Sequence, residues 1–261
     1  MPELPDVEVY KQYLDATALH QRIERVQVHE PDLLSGTSVQ GLGRILKGRT
    51  LETTRRHGKY LLVAVDDDHW LALHFGMTGE LRYFGDGEDE PDYSQCLIAF
   101  DNGMNLAYVS RRKLGRIFPV KSPAALIDDR GLGEDALAVD EKHFRALAAE
   151  HRGSVKSWLM NQAVIAGIGN VYSDEILFQA GIYPGRSLAT LDSRDLTRLY
   201  RATHFVLESA ISARVDPQRM PAKFLLPHRN KGGRCPKCDT PLKTVKIASR
   251  TGWYCPQCQK R

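Results

Sequence analysis

The chain opens MPELPDVE, with a proline directly after the initiator methionine and a carboxylate after that. Removal of Met1 would expose Pro2, the only residue type that gives a chain a secondary amine at its terminus, with Glu3 beside it. An α-amine has a pKa of about 7.7–8.0, so an appreciable neutral fraction exists near pH 7. An initiator context followed by an acidic helix start accounts for these eight residues equally well, and the rest of the chain has to decide. At the far end lie Cys235-Pro-Lys-Cys238 and Cys255-Pro-Gln-Cys258, with sixteen residues between the pairs. Two such knuckles offer four thiolates to one tetrahedral structural Zn2+. The competing pair of disulfides is disfavoured in a reducing compartment. The fifth cysteine, Cys96, sits in the apolar run CLIAF and reads as an inert core thiol.

Between the ends, four stretches have chemical content. In AGIGNVYSDE (166–175), Gly167 and Gly169 permit a close backbone approach, and Asn170 can cap a helix or bind an anion. A helix ending and another beginning in so short a turn directs N–H groups at one point, which suits a DNA phosphate. An ordinary glycine-rich helix connection explains the fragment too. HFGMTGE (74–80) sets Met77 on a glycine-flanked turn, where an exposed apolar side chain can act as a wedge in a base stack. SRRKLGR (110–116) is either a basic loop around Leu114 or a solvated charged face. RRHGKYLL (55–62) puts Lys59 at the entry to an apolar strand, beside a cleft or at a plain surface.

The elements that position these residues emerge from pattern. Acids at the start of residues 6–19 mark a short helix. From there to about residue 120 the pattern is β, without intervening helices. YLLVAV (60–65) and HWLALHF (69–75) flank an Asp-rich turn, and CLIAF (96–100) and MNLAYV (104–109) flank Asp101-Asn102-Gly103, a hairpin signal. Such strands predict an antiparallel sandwich or barrel. GDGEDEPDYS (85–94) reads as a polar loop. Helices are expected at 140–153 (closed by Gly153), at 154–166, at 173–181 with Ser173 as N-cap, and at 191–213. The fold class is therefore α+β and multidomain. It comprises a β domain over 1–120, a helical domain over 135–215, a linker over 216–234 and a zinc hairpin over 235–261.

Bulk properties bound the function. At 42% apolar and 26% charged, the 261 residues are those of a globular protein with a real core. No run approaches the roughly 20 apolar residues needed to span a bilayer, and the first 30 residues lack a signal-peptide core. The expected location is cytoplasmic, with the nucleoid as the site of action in a bacterium. Charge is uneven: residues 214–261 carry 12 Lys/Arg against Asp216 and Asp239, whereas the preceding 213 residues are acidic by 6. A basic quarter on an acidic body points to a polyanionic partner met mainly from one side.

Taken in order, MPELPDVE, RHGKYLL, HFGMTGEL, RRKLGR, VKSWLMNQAVIAGIGNVYSDEILFQAGIYP and SRTGWYCPQCQ resemble the formamidopyrimidine-DNA glycosylase/endonuclease VIII family of base-excision repair enzymes. The resemblance spans essentially the full length. It implies a bifunctional DNA glycosylase/AP lyase acting on duplex DNA with a damaged base or abasic site. The implied chain is monomeric, has no membrane partner, and needs one structural Zn2+ and no organic cofactor. The glycine-linked helix pair is similar to that family's helix–two-turn–helix, and the ribbon to its zinc finger.

By resemblance Pro2 is the nucleophile, Glu3 the general acid, Lys59 a proton donor near the lesion phosphate, and Arg250 the phosphate-gripping arginine of δ-elimination. Arg152, Lys156, Asn170 and His74 match DNA-binding positions, while Met77, Arg112 and Leu114 match residues that fill the void left by the extruded base. The chain departs from the pattern at Asp6, where relatives have Glu; at Leu114, which replaces a phenylalanine wedge; and at Tyr93, where many have His. The segment 214–234 is short compared with 8-oxoguanine-specific members, which leaves oxidised pyrimidines, ring-opened purines and hydantoins as equal candidates. A non-catalytic DNA clamp is the alternative, and a zinc-ribbon protein binding RNA or a protein is the third reading.

Overall fold

The computed structural model describes residues 1–65 and 69–260, which divide into two compact units, Met1–Gly131 and Leu132–Arg261. The Asp-rich turn expected at residues 66–68 lies outside the described residues.

The first unit begins with α1, Leu4–Thr17. Pro5 occupies its first turn, where a missing N–H costs nothing. Glu3 and Asp6 close a capping box, in which the Glu3 N–H donates to Asp6 Oδ2 at 2.9 Å. Next come β1 (Ile23–Val28), α2 (Val39–Leu46), β2 (Thr53–His57), β3 (Tyr60–Ala64), β4 (Trp70–His74), β5 (Gly79–Gly85), β6 (Ser94–Phe100), β7 (Met104–Ser110), β8 (Arg116–Val120) and α3 (Pro123–Arg130). The strands form two antiparallel four-stranded sheets, ordered β1-β6-β7-β5 and β2-β3-β4-β8. Leu61, Val63, Leu71 and Leu73 of one sheet face Leu81, Cys96, Phe100 and Leu106 of the other across a shared core, which is the sandwich expected. Val7 and Leu14 anchor α1 in that core, and burial of side chains this size stabilises by about 1.5–3 kcal/mol each. Burial also pushes the Cys96 thiol up to about 12, consistent with an inert core cysteine.

Helix α2 corrects the expectation of a helix-free β region. Ser38 caps it by accepting from the Gly41 N–H at 3.1 Å, and burial of Leu42 and Leu46 outweighs two interior glycines that each cost about 1 kcal/mol.

The second unit runs β9 (Glu134–Asp135), α4 (Glu141–Glu150), α5 (Val155–Leu159), β10 (Ile165–Ala166), α6 (Asn170–Ala180), α7 (Ser193–Ser212), then β11 (Lys243–Ile247) and β12 (Arg250–Tyr254) as an antiparallel hairpin. Asp140 and Asp192 cap α4 and α7 through their side chains. Three expectations are corrected here. Helix α4 ends at Glu150, with His151 as an extended C-cap, so Gly153 does not close it. Helix α5 ends at Leu159 rather than 166, because Asn161 Oδ1 accepts from Ala163 N and Ile165–Ala166 pairs instead with β9. Helix α6 starts at Asn170 with Gly169 as N-cap, so Ser173 is not the cap but a fully buried residue of the first turn.

Candidate active site and nucleic-acid interface

In the first unit, the N-terminal dipeptide is held in place by the helix start at residues 4–7. Leu4, Pro5 and Val7 are buried, and Glu3, at the helix N-cap, is only 1% exposed. Pro2 therefore sits at the rim of a helix whose start is immobilised by its own core contacts. Asp6 lies under this turn, and burial raises its carboxyl to about 6, with the Glu3 charge adding to the rise and the Glu3 N–H opposing it. The helix is tied down farther along by Arg56 Nε on Glu8 Oε2 at 2.8 Å and by the Tyr10 and Phe75 rings, 4.6 Å apart. Those contacts lay α1 over the ends of β2 and β4, the ends from which Lys59 and His74 emerge.

Lys59 occupies the two-residue turn between β2 and β3, behind Gly58, whose φ of 54° explains the glycine. His74 ends β4, directly across from Tyr60 on one side and Arg116 on the other. Burial first, then the charges of Lys59, Arg130 and Arg116, hold its imidazole below the usual value, so His74 is neutral near pH 7.

Met77 and Leu114 come from loops that the structure locks together. A Cβ on Gly76, at φ 59°, would lie 2.5 Å from the Leu114 carbonyl, so only glycine permits this approach. Arg112 N donates to Thr78 Oγ1 at 3.0 Å across the same seam. Met77 and Leu114 remain 38% and 47% exposed, two of the five exposed large apolar side chains among the described residues. Paired apolar tips flanked by Arg112 are suited to entering a base stack. Tyr93 is also exposed, at φ 63°, with the Arg111 guanidinium 5.2 Å over its ring.

In the second unit, the predicted DNA-binding residues separate into two kinds. Arg152 and Arg250 are exposed, and neither has a side-chain partner among the described residues. Lys156 is fully buried; its Nζ donates to Asn170 O (3.1 Å), Ser173 Oγ (2.8 Å) and Asp174 Oδ1 (2.5 Å). An ammonium so enclosed acts through the groups it holds, not by reaching a phosphate itself. Asn170 stands at the first turn of α6 and donates its Nδ2 to Thr251 O at 3.1 Å. Arg250 comes directly after a tight turn in which Ala248 and Ser249 both take positive φ (47° and 59°). Asp174 and Arg229, which complete the Lys156 cluster, were not picked out from the sequence. A lysine inside the apolar helix VKSWL was the signal that a buried acid had to meet it.

The four knuckle cysteines bring their sulfurs within 4.8 Å of one another, with pairs at 3.4, 3.5 and 3.7 Å. A disulfide requires about 2.05 Å. Zinc–sulfur bonds of about 2.3 Å imply a tetrahedral edge of about 3.8 Å, which these spacings fit. Lys237 N and Cys258 N each point at a knuckle sulfur at 3.4 Å, as stabilised thiolates require. The donor set is therefore that of a structural zinc. Phe178 of α6 packs with Leu225, Cys235 and Cys255, so the ribbon is seated on the far end of the same helix that begins at Asn170.

Three family models match consecutive parts of the chain. They are the formamidopyrimidine-DNA glycosylase N-terminal domain over residues 1–117, the corresponding H2TH domain over 132–220, and a zinc finger found in FPG and IleRS over 232–261. Among curated relatives, the formamidopyrimidine-DNA glycosylase of Moorella thermoacetica is 34% identical over 260 residues, covering 94% of this chain and 95% of the relative. That of Pelotomaculum thermopropionicum is 32% identical and covers 100% and 99%. Among solved structures, the Lactococcus lactis Fpg complex with abasic-site DNA matches at a TM-score of 0.87 and 26% identity, over 99% of this chain and 100% of that one. A MutM complex with DNA containing carbocyclic 8-oxo-G matches at 0.90 and 26%, over the whole of both chains.

Proposed function

We propose, on the premise that the chain belongs to the formamidopyrimidine-DNA glycosylase family, that its base-excision chemistry runs through the nitrogen of Pro2. The protein is a base-excision repair DNA glycosylase with AP lyase activity, and its partner is duplex DNA containing a damaged base or an abasic site. The observation that carries the residue assignment is the immobilised N-terminal turn, where Pro2 precedes a buried N-cap glutamate.

With Met1 removed, the Pro2 lone pair attacks C1′ while the glycosidic bond breaks and its electrons leave on the base. The attacking nitrogen gives up its own proton, which together with one from Glu3 serves the sugar ring oxygen and the departing base, and the opened sugar becomes an iminium on the proline nitrogen. The iminium acidifies C2′. Loss of that proton expels the 3′ phosphate by β-elimination, and Arg250 and Lys59 assist a second, δ-elimination of the 5′ phosphate. Neutral His74, Lys59, Arg152, Asn170 and Arg250 meet the backbone, and Met77, Arg112 and Leu114 fill the space of the flipped nucleotide. In this reading the working unit is a monomer, acting where the cell keeps its DNA. Zinc supplies no chemistry; bound by Cys235, Cys238, Cys255 and Cys258, it folds the ribbon that carries Arg250.

The test is an N-terminal extension that turns the Pro2 nitrogen into an internal tertiary amide. The extended protein should bind an abasic duplex as the processed one does, yet fail to nick it. Undiminished nicking by the extended protein would refute the assignment.

A further inference from the structure

Asp174 is fully buried in the first half of α6, and both of its oxygens are committed. Oδ1 accepts from Lys156 Nζ at 2.5 Å; Oδ2 accepts from Arg229 Nε (3.1 Å) and Nη2 (2.7 Å) and from the backbone N–H of Trp253 (2.9 Å). One helical turn earlier, Asn170 Nδ2 holds Thr251 O at 3.1 Å. Residues 170 and 174 share a helix face, and residues 251 and 253 are next-but-one neighbours on a strand, so β12 is clasped at two points by one face of α6. Gly252 lies between the clasps. A Cβ there would stand 2.9 Å from Asp174 Oδ1 and 3.0 Å from Lys156 Cε, so the strand is seated directly on the buried ion pair. Arg250 projects from the residue just before the first clasp.

We propose that the Lys156–Asp174–Arg229 cluster is a positioning device for Arg250, fixing that arginine against the phosphate-binding end of α6 independently of the zinc. This rests on the reading of Arg250 as a phosphate contact. The Arg250 end of the hairpin is its far tip, beyond the strands that lead out from the knuckles, whereas the clasp acts within three residues of Arg250. Lys156 therefore contributes to DNA binding through Asp174 and the Asn170 carbonyl that it holds.

A double-mutant cycle tests this on the zinc-loaded full chain, with a duplex carrying a tetrahydrofuran abasic analogue as probe. Arg250→Ala in the wild-type background removes a charge-assisted contact and should weaken binding roughly tenfold or more. In an Asp174→Asn background the same substitution should change binding by less than about twofold, because the arginine is already misplaced. Gly252→Ala, which leaves every charge in place, is the parallel background should Asp174→Asn fail to fold; bound zinc and the melting temperature are measured for each. Equal fold-losses from Arg250→Ala in all backgrounds that retain zinc would overturn the positioning role. No loss in the wild-type background would instead refute the reading of Arg250 itself, and the proposal with it.

Discussion

Asp6→Asn isolates one half-buried carboxyl at the N-terminal end of α1. The asparagine keeps an oxygen able to accept the Glu3 N–H, so the substitution removes titration and little else. In the folded protein burial raises the Asp6 carboxyl from 3.8 to about 6. The unfolded chain thus releases this proton near 3.8 while the folded chain keeps it to about 6. Between those values the native state binds more protons, and stability falls as pH rises. With about 1.36 kcal/mol per pKa unit, the loss in wild type relative to Asp6→Asn between about pH 4.5 and 7.5 is about 2 kcal/mol, nearly all of it below about pH 6.5. Urea unfolding of both proteins across that range, at intervals of about one pH unit, measures it. Parallel pH profiles, with a constant difference between the two proteins, would refute the account of Asp6 as a desolvated acid.

Three further outcomes are expected. Chelation of the zinc should unfold the ribbon and weaken binding to an abasic duplex at least roughly tenfold while leaving the β-sandwich intact, read by circular dichroism and a binding titration. Met77→Ala with Leu114→Ala should slow excision of an intact damaged base at least roughly tenfold, yet leave nicking of a preformed abasic site within about threefold, since no base then needs extruding; equal losses would refute the wedge. Ala248→Gly should stabilise the hairpin by roughly 1 kcal/mol, because glycine adopts the positive φ of 47° without the side-chain penalty; a lower melting temperature for the ribbon would count against that strain.

Much of the scaffold was legible because it is built on local signals. Gly103 at φ 76° closes the β6–β7 hairpin that Asp-Asn-Gly predicted, and α7 starts at its capping aspartate, Asp192. The cysteine spacing delivered its cluster for the same reason: two knuckles fix sulfur geometry within a few residues. Helix α2 is hidden in the sequence because Gly41 and Gly43 suppress helix propensity, and only the tertiary burial of Leu42 and Leu46 compensates. Ser173 defeats the local rule that makes serine a cap. Its hydroxyl instead takes a hydrogen bond from Lys156, seventeen residues away. Asp174 and Glu175 look like a surface pair, yet both are fully buried; Glu175 accepts from Leu225 N and Leu226 N, some fifty residues on. No periodicity encodes a partner at that distance. Lys156 matches a phosphate-binding position by motif, but whether an ammonium faces solvent or a buried carboxylate depends on what packs over it.

The most direct test of the central claim is borohydride trapping of the Met1-processed protein on a duplex with a single abasic site, together with mass spectrometry of the adduct. Borohydride reduces an iminium to a stable amine, so a covalent protein–DNA species carrying its adduct on Pro2 is the predicted result. Glu3→Gln is run alongside to separate the acid from the nucleophile. An adduct on any lysine instead of Pro2, or tight salt-dependent binding with no adduct at all, would contradict the account.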